Sequence, residues 1–265
     1  MGLSVRIAPH LLAAALLVSA GALATSPAEA IVGGSQASEG EFPFMASIQS
    51  RGQDGSAGHF CGGSVIGTEW VLTAAHCLVD TEPGDIQVGV GRTDLDDLAT
   101  GQTLSVDRIV VHPDYADTGT FDAALIHVTA PIASPSVALT TVGEDSLEVD
   151  GAPLTVAGWG TEFFGSPVIP SGLKSVDVSA VADDRCTTNG LMGFQADSEI
   201  CAETIGGHSC QGDSGGPLFG TVAGRVTQVG IVSYGLGCAT PGFPGVYGEV
   251  NNDSIRAFIT TTSGV

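Results

Sequence analysis

Basic side chains are scarce. The 265 residues carry 8 Lys and Arg against 29 Asp and Glu, a formal net charge of −21. Such a chain repels phosphate backbones and anionic lipid, which excludes nucleic-acid binding and charge-driven membrane attachment. Charged residues of both signs make up only 14% against 43% hydrophobic, the reverse of a disordered composition. No C-x-x-C pair occurs, and no histidines are spaced with cysteines as a ligand set, so neither a metal nor any other cofactor is expected. Beyond the first thirty residues there is no apolar run of membrane-spanning length. Long amphipathic helices are missing too, because 38 glycines and 13 prolines break the chain into short segments.

Residues 1–30 read as an export signal. Arg6 supplies a positive start, Leu11 to Ala20 form an uncharged apolar run, and small-residue cleavage points follow after Ala24 and after Ala30. The first cut leaves a propeptide at 25–30; the second exposes Ile31 directly. A secreted, extracellular product is expected, with its working domain over 31–265. Its cysteines, Cys61, Cys77, Cys186, Cys201, Cys210 and Cys238, are even in number, and in an exported chain this suggests three disulfides, with the pairing left open.

Short runs rich in Val, Ile and Thr, bounded by Gly, Pro, Asp or Ser, recur along the mature chain. Examples are Phe44–Gln49, Trp70–Thr73, Ile86–Val90, Leu104–Val111, Ala123–Val128, Lys174–Ala180 and Val226–Ser233. This pattern points to an all-β sandwich or barrels. Only the tail, 252–261, has helical spacing, with Ile255, Phe258 and Ile259 on one face. Pro131 and Pro135 mark a division into two β halves near 129–137.

Three strings carry chemistry. In Gly212-Asp213-Ser214-Gly215-Gly216-Pro217, a serine lies among glycines that let substrate backbone approach and let successive N–H groups point at one spot. Alone, such a stretch is more often just a turn. In Thr73-Ala74-Ala75-His76-Cys77, a histidine follows an apolar strand; it is either a packed core residue or the base that a hydroxyl nucleophile needs near neutral pH. Asp122 opens the apolar run Ala123–Val128, where a buried carboxylate is costly without a partner; His76 would be that partner, and turn capping is the bland alternative.

Together with Ile31-Val32-Gly33-Gly34, His59-Phe60-Cys61-Gly62-Gly63-Ser64, Ala157-Gly158-Trp159-Gly160, Ser233-Tyr234-Gly235 and Pro244-Gly245-Val246-Tyr247, these strings resemble the trypsin/chymotrypsin family of serine proteases, in its His, Asp, Ser order. The resemblance spans residues 31 to 258. It implies two six-stranded antiparallel β-barrels with a C-terminal helix and an active site between the barrels. His76, Asp122 and Ser214 would form the catalytic triad, and the N–H groups of Gly212 and Ser214 the oxyanion hole. Ser233, Tyr234 and Gly235 would hold substrate as an added strand. Ile31 and Asp213 would pair on activation, and Ser47 and His59 match positions that hold the aspartate in some zymogens. The implied disulfides are Cys61–Cys77, Cys186–Cys201 and Cys210–Cys238. Partners would be protein or peptide substrates and protein inhibitors, for a monomeric enzyme.

The departures bear on specificity. In trypsins, the residue six before the nucleophile is an aspartate on the specificity-pocket floor; here it is His208, beside Ser209. The counter-charge for Lys or Arg is therefore missing. Gly235 and Gly245 fall where the family keeps the pocket wall open, so cleavage after apolar or aromatic residues is expected, with Glu or Asp as the alternative. The loop that binds calcium in many relatives carries Arg92 and Gln102 here, and the acidic Asp94, Asp96 and Asp97 read as a solvated cluster. A catalytically silent binding module is the rival class, but such relatives usually lose a triad member. An α/β-hydrolase esterase would need Ser before Asp before His.

Overall fold

The computed structural model describes residues 1–3, 31–188, 193–204 and 207–265. Apart from residues 1–3, the expected leader and propeptide lie outside the described residues. Among the described residues, no helix is long and apolar enough to cross a membrane.

Among the described residues, twelve of fourteen strands form two closed barrels. The first uses β2 (Met45–Ser50), β3 (His59–Val65), β4 (Trp70–Thr73), β5 (Ile86–Val90), β6 (Gln102–Val111) and β7 (Ala124–Val128), closed in the order β2-β3-β4-β7-β6-β5. The second uses β9 (Pro153–Gly158), β10 (Lys174–Val181), β11 (Glu199–Glu203), β12 (Pro217–Val222), β13 (Arg225–Tyr234) and β14 (Gly245–Glu249). Its order β10-β11-β14-β13-β12-β9 closes where β9 pairs with β10. All pairings within the barrels are antiparallel. Two short strands are appended to the second barrel: β1 (Ser35–Gln36) on β10, and β8 (Ala138–Leu139), parallel to β13.

Each barrel is filled from its strands' inward positions. Ile48, Val88, Val106 and Ile126 pack the first, and Leu154, Val178, Ile200, Leu218 and Tyr247 the second. A third cluster joins the two barrels: Leu72 and Leu125 from the first meet Trp159, Phe219 and Ile231 from the second. The helix α3 (Asp253–Ser263) seals that cluster with buried Ile255, Phe258 and Ile259. It starts where the Asn252 side chain accepts from the N–H groups of Ser254 and Ile255, and stops at Gly264 with φ 78°. Two shorter helices, α1 (Tyr115–Thr118) and α2 (Asp183–Thr188), and strands β11, β12 and β14 have no counterpart among the runs read from sequence. The three disulfides pair as the resemblance implied: Cys61–Cys77, Cys186–Cys201 and Cys210–Cys238.

Candidate active site

Strand pairing brings His76 and Asp122 together. Thr73 at the end of β4 lies opposite Ala124 at the start of β7, so the turn after one faces the residue before the other. His76 sits in a single 3₁₀ turn, Ala75–Cys77, tied to β3 through the Cys61–Cys77 disulfide. Asp122 receives the His76 backbone N–H on Oδ1 at 2.9 Å and the imidazole Nδ1 on Oδ2 at 2.7 Å. A carboxylate can only accept, so Nδ1 carries a proton, and in the neutral ring the lone pair lies on Nε2. Ser233 Oγ also donates to Asp122 Oδ2, at 2.5 Å. Burial alone would raise the Asp122 carboxyl pKa; the hydrogen bonds and charge of His76 and the Ser233 hydroxyl outweigh it and hold the pKa below its ordinary value. Phe121, just before Asp122, is left-handed at φ 56° and stacks on His112 at 5.2 Å. Such a backbone costs an L-residue roughly 1–2 kcal/mol, which fixed packing on both sides must offset.

Ser214 comes from the second barrel, in the turn before β12. Its carbonyl accepts from Gly62 N–H of β3 at 2.8 Å and lies 3.7 Å from Cys77 Sγ, next in chain to His76. Gly215 follows at φ 81°, and a Cβ there would collide with Thr73 Oγ1 and the Gly62 carbonyl. Glycine is what lets the serine turn press against the first barrel. Ser214 Oγ makes no hydrogen bond among the described residues; such contacts tighten when substrate binds.

The N–H groups of Gly212 and Ser214 donate to no acceptor among the described residues, which leaves both for an incoming oxyanion. Gly212 has φ 97°, and its carbonyl accepts from His59 Nε2 at 2.9 Å. His59 Nδ1 then accepts from Ser47 Oγ at 2.8 Å. Burial lowers the His59 pKa to about 4, so the ring stays neutral. In this structure His59, backed by Ser47, grips the Gly212 carbonyl, and neither side chain hydrogen-bonds Asp213. A buried neutral imidazole finds its complement in a carbonyl acceptor.

Asp213 is fully buried, with Oδ1 accepting from Gly160 N–H and Oδ2 from Cys210 N–H, both at 2.8 Å. A Cβ on Gly158 or Gly160 would collide with that carboxyl, so both glycines are space for it. Burial outweighs the two N–H donors and raises the Asp213 pKa to about 7. Ile31 is also fully buried, and its backbone N donates to the Gly160 carbonyl at 3.3 Å. Both expected partners therefore meet on the one residue Gly160. Beside them, the Val32 carbonyl accepts from His208 N–H at 3.1 Å.

A cavity of about 190 Å³ opens beside Ser214, lined by His208, Ser209, Gln211, Ser233, Tyr234 and Gly235 among others. His208 is 5% exposed, and its Nδ1 donates to the Ser209 carbonyl at 2.6 Å. Burial keeps its pKa below the ordinary histidine value, opposed by that hydrogen bond. Tyr234 donates to Glu199 Oε2 at 2.9 Å. Cys61, His76 and Cys77 place potential ligand atoms within 4.8 Å of one another, but both sulfurs are spent in a disulfide and hold no thiolate for a metal.

Sequence reasoning missed two supports: Ser233 under Asp122 and His59 behind Gly212. Neither has a local signal, because each contact joins segments more than 100 residues apart.

A family model described as Trypsin matches residues 31–259. Hypodermin-B of Hypoderma lineatum is 38% identical over 233 residues, covering 87% of this chain and 86% of the relative. Trypsin delta of Drosophila melanogaster is 38% identical over 223 residues, covering 83% and 84%. Hypodermin-A of Hypoderma lineatum is 33% identical over 237 residues, covering 88% and 87%.

Proposed function

Because the chain belongs to the trypsin family of serine endopeptidases, we propose that it is a secreted protease that cuts proteins and peptides through an acyl-enzyme on Ser214. The observation that carries this reading is the doubly bonded Asp122–His76 pair, whose Nε2 lone pair is left free. Ser214 Oγ attacks the scissile carbonyl while His76 Nε2 takes its proton. The oxyanion settles on the N–H groups of Gly212 and Ser214, where one donor is worth about 2.7–4 kcal/mol of barrier. His76 then protonates the leaving amine, and water repeats the sequence on the acyl-enzyme. Ser233, Tyr234 and Gly235 line the substrate chain. One chain holds every group required, so a monomer suffices, and protein inhibitors that mimic a substrate loop are natural partners.

Activation requires a free amine at Ile31. Cleavage after Ala30 would release it beside Gly160, within reach of Asp213. The ion pair would draw the Asp213 carboxyl down from its raised pKa, and removing one partner of such a buried pair costs about 3–5 kcal/mol. An activator that cuts after Lys or Arg cannot do this, since Ala30 precedes the bond.

Specificity follows from the pocket floor. A neutral His208 offers no counter-charge to Lys or Arg, and its lowered pKa opposes recognition of Glu or Asp. The residue before the cut is therefore uncharged. The test is casein hydrolysis by secreted protein whose N-terminus is sequenced. Activity with Ile31 first, lost in Ser214→Ala at unchanged thermal unfolding, is expected. Full activity from a chain starting elsewhere, or retained hydrolysis in Ser214→Ala, contradicts the reading.

A further inference from the structure

The two glycines that suggest an open pocket wall serve another group. A Cβ on Gly245 would stand 2.6 Å from His208 Nε2 and 2.7 Å from Cε1, and a Cβ on Gly235 would stand 3.3 Å from the same Cε1. The imidazole therefore reaches across the space that both glycines clear. It is fixed there at one end by Nδ1–H on the Ser209 carbonyl and at the backbone by the bond to Val32. With Nδ1 protonated and the ring neutral, Nε2 is a bare acceptor. That atom is buried without a partner, as is the Tyr247 hydroxyl, and both crowd the position of a Gly245 Cβ. Gly245 and Tyr247 are absent from the cavity lining, whereas His208 is in it. The ring thus stands between the cavity and the Gly245 backbone, with Nε2 on the Gly245 side.

We propose that His208 is a plug that shortens the specificity pocket, so that the enzyme cuts after short aliphatic residues, Ala and Val, rather than after aromatic ones. The proposal rests on the endopeptidase reading and names the substrate class of the same site. The large apolar or aromatic residue expected from sequence would have to displace the ring, breaking the Ser209 contact. An Ala or Val side chain leaves the ring in place. The shortening comes from a side chain rising from the floor, with both wall positions left as glycine.

The test is a set of succinyl-Ala-Ala-Pro-X p-nitroanilides, with X as Ala, Val, Leu, Phe or Tyr, read as kcat/KM for mature wild type, His208→Gly and His208→Ser. Wild type is expected to favour Ala and Val over Phe and Tyr by at least about 30-fold. Both variants should raise the Phe-to-Ala ratio at least about tenfold, the two guarding against a fold defect in either one. Diphenyl phosphonate analogues with Ala or Phe side chains provide a second readout, as rates of covalent labelling. Wild type that cuts or is labelled by Phe as readily as by Ala overturns the plug, and so does an unchanged ratio in both variants. Wild type that neither cuts any substrate nor is labelled by either phosphonate overturns the endopeptidase reading itself, a distinguishable failure.

Discussion

Ser233 Oγ and His76 Nδ1 share one acceptor, Oδ2 of Asp122, at 2.5 and 2.7 Å. The serine belongs to the second barrel and the other two residues to the first, so this oxygen ties the barrels together at the reaction centre. Ser233→Ala removes a hydrogen bond to a charged group that is buried. Such a bond is worth about 1.5–3 kcal/mol, so kcat/KM should fall about tenfold or more, mostly in kcat if substrate strand binding survives. Steady-state kinetics at saturating and limiting substrate separate the two. An unchanged kcat would show that Oδ2 of Asp122 needs no second donor.

The His59–Gly212 contact predicts a different signature. His59→Ala frees the Gly212 carbonyl and leaves a cavity beside Trp159, whose ring centroid lies 5.8 Å away. Oxyanion stabilisation should weaken by about 1–2 kcal/mol, less than loss of a donor itself, and KM should change little. Affinity for a transition-state analogue, such as a peptide boronic acid, should fall in parallel with kcat.

Gly160 predicts a defect of activation. A side chain there collides with the Asp213 carboxyl, so Gly160→Ala should impair both folding stability, by about 1–3 kcal/mol, and activity. Differential unfolding of the mature and uncleaved forms checks this. Cleavage at Ile31 should stabilise wild type more than the variant.

The carboxyl cluster around Glu249 should favour acidic pH. Glu249, at the end of β14, has its pKa raised to about 8, first by burial and then by Glu148, Asp183, Asp145 and Asp197 around it. Glu148 is raised to about 7, again first by burial. Both native pKa values exceed those of an unfolded carboxylate, so the native state holds the extra protons. The stabilisation is complete below the unfolded pKa and disappears as pH rises toward 8. Glu249→Gln should gain on the order of 1 kcal/mol at pH 8.5, discounted for partial exposure, and nothing at pH 4. Urea unfolding at the two pH values measures it, and equal effects at both would refute the assignment.

The legible parts of the fold were those in which local pattern and burial agree. Runs such as Ile86–Val90 and Trp70–Thr73 match β5 and β4 residue for residue, because β-branched and aromatic residues fill a barrel wall. Strand β14 escaped because Gly245 and Gly248 stand where large residues would be expected; the Cβ positions are filled by His208 and by the Asp122 backbone. Likewise β12 begins at Pro217, directly after the glycine-rich serine turn, which reads as loop. The strings around His76, Asp122 and Ser214 were readable because the chemistry demands particular residue types. The supports at Ser233 and His59, and the reach of His208 across its pocket, depend on which segments face each other and on how a ring is turned. No linear pattern encodes those.

Catalysis turns on Ser214 as a nucleophile activated by His76 and Asp122. Intact-protein mass spectrometry after diisopropyl fluorophosphate treatment of the mature protein is the decisive test. Wild type should gain one phosphoryl adduct, mapped to Ser214 by peptide digestion, while Ser214→Ala gains none and His76→Ala reacts slower by several orders of magnitude. An unlabelled wild type, or an adduct that persists in Ser214→Ala, would contradict it.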